Sequence, residues 1–226
     1  MSAMIWKQTS ILYGSEQKME LHEYGEKHSQ NILVQLIDKR ELETIEQEIS
    51  LIKEYSKTDF RFMAFVVDNW NKDLSPRTAP AVFGKEDFGD GAKHTLSEIL
   101  QYTNDTEKNY YLGGYSLSGL FSLWTAYQTD RFSGIAAVSP SIWFSGFLRF
   151  MNEQKPLANS IYLSLGDKEE KTKNPVMSQV GNAIREGYEI LKENHINCTL
   201  EWNQGNHFKE PELRTAKGFA WLLERK

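Results

Sequence analysis

"NYYLGGYSLSGLFSLW", Asn109 to Trp124, begins like a strand and ends like a helix, with glycines and three serines at the change-over. A nucleophile elbow needs a strand, a sharp turn with a strained residue at its tip, and a helix that starts at once. The residues two before and two after the tip must be small, because the strand and helix backbones nearly touch there. With Ser116 at the tip, those flanks are Gly114 and Ser118, followed by Gly119. Placing Ser118 at the tip instead puts Leu120 at the contact, where it is too bulky, and Ser122 falls inside the helix. A glycine pair with serines also makes a plain strand-to-helix turn, so the weight falls on whether Ser116 has partners.

Working outward, apolar periodicity alternates between strand and helix. Upstream, Asn31–Ile37 reads as a buried strand, and residues 40–56 as a helix with Leu42, Ile45, Ile49 and Ile52 on one face. Phe60–Val67 is the next strand. Downstream of the elbow, whose helix is expected from about Ser118, come strands at Gly134–Ser139 and Ser160–Gly166. A long amphipathic helix follows, marked by Val176, Val180, Ile184, Tyr188 and Leu191. Then come a strand at Asn197–Asn203 and a closing helix opened by Pro211. Two further strands, around Ile5–Tyr13 and Met19–Tyr24 with a turn near Gly14, are placed as an antiparallel edge. Strands interleaved with helices imply a mostly parallel sheet with helices on both faces. No repeat or linker divides the chain, which reads as a single domain, 1–226. The stretch Asp68–Ala92, rich in Pro, Gly and Asp, is too long for a simple connection and leaves the strand edge where ligands bind.

A serine hydroxyl is a weak nucleophile at neutral pH and needs a histidine to take its proton. In sheets that carry this elbow the chain order is serine, acid, histidine. Of five histidines, His22 and His28 precede the elbow, His94 begins a helix, and His195 sits at a helix C-terminus where a cation suits the dipole. His207, in the turn "QGNHFKEP" between the last strand and the last helix, fits the order. The acid is sought in "GDKEEKTKNP", which offers Asp167, Glu169 and Glu170. Glu169, three residues past the glycine ending the strand, is preferred, because it leaves the chain room to turn back. Its task would be to fix the imidazole tautomer. The oxyanion donors expected are the N–H of Leu117 and that of Lys39 or Arg40, from the loop after Asn31–Ile37. Trp70 and Trp143 lie on loops at the same edge; they read equally as a substrate-binding wall and as rim packing.

The bulk numbers exclude other classes. With 226 residues, 40% hydrophobic and 25% charged, the chain has the profile of an ordinary soluble globular protein. A net charge of −5 without a long basic run argues against nucleic acid. No run of about 18 apolar residues is present, so no membrane span is expected. The N-terminal stretch lacks a basic region followed by a long apolar run, so no export signal is expected. A lone cysteine, Cys198, fits a reducing compartment, and the cytoplasm is the default. Gly84, Gly89 and Gly91 do not have phosphate-loop spacing, and no cluster has metal-ligand spacing, so neither metal nor cofactor is expected.

The stretch "YYLGGYSLSGLFSLWTAYQTDRFSGIAAVSPSIWF" resembles the esterase D and enterobactin esterase-like family of α/β hydrolases. This family includes S-formylglutathione hydrolases, feruloyl esterases, mycolyltransferases and the esterases that open ferric enterobactin. The likeness lies in Gly119-Leu120-Phe121 after the elbow and in Ser139-Pro140-Ser141-Ile142-Trp143 at the end of the next strand. "VVDNWNKDLSP", "FGDGAKHTL" and "QGNHFKEP" are similar to the family's long loop and histidine turn. Two departures stand out: Ser118 replaces the second elbow glycine, and Asp38-Lys39 stands where the family often has Asp-Gly. The resemblance implies an α/β-hydrolase fold with a minimal lid, and hydrolysis of a small-molecule carboxylic ester by Ser116, His207 and Glu169 without a cofactor. A thioesterase or acyltransferase, a siderophore esterase, or a non-catalytic binding module remains open on the same scaffold.

Overall fold

Eight strands line up in one sheet in the order β1-β2-β4-β3-β5-β6-β7-β8 in a computed structural model, which describes residues 6–13 and 18–225. The strands are β1 (Trp6–Tyr13), β2 (Lys18–Gly25), β3 (Asn31–Ile37), β4 (Arg61–Val66), β5 (Asn109–Tyr115), β6 (Phe132–Val138), β7 (Ser160–Gly166) and β8 (Asn197–Asn203). From β4 through β8 every neighbouring pair is parallel, while β2 runs antiparallel to both β1 and β4. The first two strands therefore form the antiparallel edge. Ile5 and the turn near Gly14 lie outside the described residues.

Each face of the sheet carries its own apolar core, because side chains alternate along the strands. Ile32, Val34 and Leu36 of β3 point into one core with α3 (Ala92–Leu100), α4 (Ser116–Thr125), α5 (Phe147–Glu153) and α6 (Val180–Glu193). Leu33 and Ile37 point into the other, against Ile45, Ile49 and Ile52 of α1 (Ile45–Ser56) and Phe219 of α7 (Pro211–Leu223). The seventh helix, α2 (Trp70–Asp73), is a single turn in the long loop. That loop is also folded by a bridge between Ala79 and Phe88.

Several element limits differ from the periodicity. The first turn before α1 is a 3₁₀ segment, Glu41–Glu43, and α6 begins at Val180, leaving Val176 exposed outside it. Helix α4 starts at Ser116, two residues earlier than expected. Helix α5 was not expected, since its seven residues span fewer than two full turns; Phe147 is buried in the core there. Among the described residues no helix is long and apolar enough to cross a membrane.

The strand order places the site. The chain goes from β3 to β4 on one side, then returns to lay β5 on the other side of β3. The loops leaving the C-terminal ends of β3 and β5 diverge, opening a crevice at the switch point. Asp38-Lys39 follows β3 and Ser116 follows β5.

Candidate active site

The elbow is built from its small residues outward. Tyr115 is extended, Ser116 has φ of 58° in the left-handed region, and α4 begins without a spacer. A Cβ on Gly114 would lie 2.0 Å from Ser118 Oγ, and one on Gly119 would lie 2.9 Å from the carbonyl oxygens of Gly114 and Val138. Serine at 118 has its own function: its fully buried hydroxyl donates to the Leu36 carbonyl of β3 at 2.7 Å. This bond ties the elbow helix to the neighbouring strand.

Ser116 Oγ lies 3.0 Å from His207 Nε2, and His207 Nδ1 lies 2.7 Å from Glu169 Oε2. The three groups come from the ends of β5, β8 and β7 and form one hydrogen-bonded chain. Glu169 Oε1 accepts from Ser139 Oγ at 2.7 Å, from the Gly166 N–H at 2.7 Å and from Arg214 Nη1 at 2.9 Å. Burial pushes the Glu169 carboxyl up, but the bonds from His207, Ser139 and Gly166 outweigh it and hold the group below the usual range. The other two acids of the loop are engaged elsewhere. Asp167 Oδ1 accepts from the Gly205 N–H at 2.7 Å, pinning the histidine turn, and Glu170 pairs with Arg185 at 3.2 Å.

On the β3 side, the turn after Ile37 is laced by carboxylates. Asp38 Oδ1 accepts from the N–H groups of Arg40 (2.8 Å) and Glu41 (3.0 Å), and Glu41 Oε2 accepts from Asp38 N–H (2.8 Å). The Arg40 N–H is therefore committed to Asp38. The Lys39 side chain is turned away onto Asp68 at 2.8 Å. Leu117 is the second residue of α4, so its N–H has no acceptor one turn back in the helix.

Ser116 and His207 line an open cavity of about 410 Å³, together with Trp70, Tyr115, Phe208 and Arg40 among others. Phe208, which immediately follows the histidine, is 85% exposed. Trp143 is not in this wall. It lines two neighbouring apolar pockets and packs edge-on against Phe83 and Phe88, because the turn after β6 directs it toward the long loop. Among the described residues, no group of His, Cys, Asp or Glu side chains could hold a metal ion.

Two side chains at the site were not legible in the sequence. Tyr115 Oη donates to the His207 carbonyl at 2.7 Å; burial, then the nearby Glu169 charge, pushes its phenol up to about 12, so it remains a donor. Arg214, in the first half of α7, is 1% exposed beneath the acid. An arginine in an amphipathic helix carries no signal of burial.

Chemically, a hydroxyl bonded to an imidazole whose far nitrogen rests on a carboxylate can lose its proton as it attacks an electrophile. A mostly parallel sheet with that serine on a left-handed turn after a central strand is the α/β-hydrolase fold. No family model matches the sequence, and no curated protein matches it. Solved structures do. The chain is similar to the enterobactin esterase FES from Shigella flexneri, with a TM-score of 0.70 and 13% identity over 97% of this chain and 60% of that one. It is similar to the enterobactin hydrolase IroE in complex with DFP, with a TM-score of 0.72 and 12% identity over 100% and 98%. A third is the Pyrococcus furiosus esterase Pf2001, with a TM-score of 0.64 and 11% identity over 97% and 91%. The chain thus spans three-fifths of the FES chain and nearly all of the IroE chain. At these identities the likeness is one of fold.

Proposed function

We propose that this chain is a serine esterase that cleaves a small-molecule carboxylic ester through an acyl-enzyme, within a single domain and in the cytoplasm. Ser116 Oγ attacks the carbonyl carbon as its proton passes to His207 Nε2. The oxyanion is held by the N–H groups of Leu117 and Lys39. The imidazolium, oriented by Glu169, returns the proton to the leaving alcohol as the C–O bond breaks. Water then repeats the sequence on the acyl-enzyme, releasing the acid and restoring Ser116. Trp70 and the exposed Phe208 flank the cavity where the substrate would sit. The reading is carried by one observation: the unbroken Ser116–His207–Glu169 hydrogen-bond chain on a serine held at positive φ.

The experiment is labelling with a fluorophosphonate probe. Wild type should label, while Ser116→Ala and His207→Ala should not. Equal labelling of Ser116→Ala would remove Ser116 as nucleophile, and an unlabelled wild type would favour a binding module. A siderophore esterase is the second reading, favoured by the fold likeness to two proteins named for enterobactin. Turnover of ferric enterobactin in preference to short p-nitrophenyl esters would establish it.

A further inference from the structure

The buried guanidinium of Arg214 meets the ends of two loops at once. Its Nη1 donates to Glu169 Oε1 at 2.9 Å and Tyr115 Oη at 3.1 Å, with Ser139 Oγ at 3.4 Å. Its Nη2 donates to the carbonyls of Gln204 (3.2 Å) and Asn206 (3.0 Å). Tyr115 Oη in turn donates to the carbonyl of His207. One cation thus holds the acid directly and grips the histidine turn at Gln204, Asn206 and, through Tyr115, His207. Arginine suits this place because its planar fork carries five donors and keeps its charge when buried. Lysine has the charge but not the fork.

We propose that Arg214 is a positioning residue for the Ser116–His207–Glu169 relay: it locks the acid loop to the histidine turn and lowers the proton affinity of the His207–Glu169 pair. This rests on the esterase reading for its functional meaning, but the physical effect is separate from it. The guanidinium shares the carboxylate that faces the imidazole, so it draws charge from the oxygen pair that would stabilise an imidazolium. A relay whose carboxylate is shared in this way is expected to stay ready to accept the serine proton to lower pH than one without the guanidinium. Without it, whichever member of the pair takes the proton, the pair takes it at a higher pH.

Other charged groups face the pair. Asp167 lies on the acid's loop, Lys209 and Glu210 on the histidine turn, and Glu212 on α7. Asp38, Arg40 and Glu41 face it across the cavity. Burial pushes the Glu41 carboxyl up to about 7. These groups are present in every variant, so the comparison between variants reads the loss of the guanidinium together with its grip on the two loops.

The test is an NMR titration of the His207 imidazole, assigned against His207→Ala, in wild type, Arg214→Gln, Arg214→Met and Arg214→Lys. The neutral variants should raise the His207 midpoint by about one pH unit, the scale set by loss of a nearby buried charge. Arg214→Lys should stay near wild type in midpoint but lose about tenfold in fluorophosphonate labelling rate, since the fork is gone. A folded neutral variant with an unchanged or lowered midpoint overturns the proposal. If neither neutral variant folds, a Lys variant that labels at the wild-type rate overturns it. If wild type does not label, the esterase reading fails, while the titration still decides whether Arg214 tunes the pair.

Discussion

At the residue scale, the elbow concentrates strain at one position. Ser116 sits at φ 58°, where a Cβ crowds the following carbonyl, a cost of about 1–2 kcal/mol for any residue but glycine. Ser116→Ala and Ser116→Gly both delete the hydroxyl that bonds His207, but only glycine relieves the turn. Urea unfolding should therefore find Ser116→Gly more stable than Ser116→Ala by about 1 kcal/mol, after allowance for glycine's freer unfolded chain. Equal or reversed stabilities would mean that the turn is not strained. Ser116 and His207 could be singled out in the sequence because a mechanism dictates their order and their places after strands. Arg214 could not, because burial of a charged side chain depends on which loops close over it.

At the scale of single elements, α1 and β3 share a buried polar contact between Glu48 and Gln35. Glu48 of α1 is enclosed in the core, and its Oε1 has no hydrogen-bond partner; nor has Gln35 Oε1 of β3. Burial first, then the nearby Glu41 charge, raises the Glu48 carboxyl well above the ordinary range. A folded-state pKa raised above the unfolded one gives stability below the unfolded value of about 4.3 and loses it as pH climbs toward the folded one. Glu48→Gln keeps the shape and removes the charge. It should gain stability over wild type at pH 8, on the order of 1 kcal/mol or more, and little at pH 4. Denaturation midpoints at the two pH values would show this, and a loss at pH 8 would refute it. Elements like α1, with Ile45, Ile49 and Ile52 on one face, declare themselves by period. The short α5 does not, since Phe147 and Met151 supply too few repeats for a period to be read.

At the scale of the whole molecule, the turns after β4 and β6 send two tryptophans to different places. Trp70 lines the cavity of Ser116 and His207, whereas Trp143 joins the aromatic cluster of Phe83 and Phe88. For an aryl ester, Trp70→Ala should raise KM roughly tenfold, the scale of losing apolar contact with part of a substrate. Trp143→Ala should leave KM within about twofold. Steady-state kinetics on p-nitrophenyl esters would separate them. A larger effect at position 143 would mean that the substrate reaches into the second groove.

The sequence by itself determined the alternation of strand and helix, the elbow at Ser116 and the loops that hold His207 and Glu169. Each rests on a local rule: period, turn chemistry, or the room a close backbone contact leaves. The fold decided the rest. It set Glu169, of the three acids, against His207, committed the Arg40 amide to Asp38, and packed Trp143 against Phe83 and Phe88. It also enclosed Arg214 between two loops separated by tens of residues. Those outcomes depend on through-space distances, which chain order does not encode position by position.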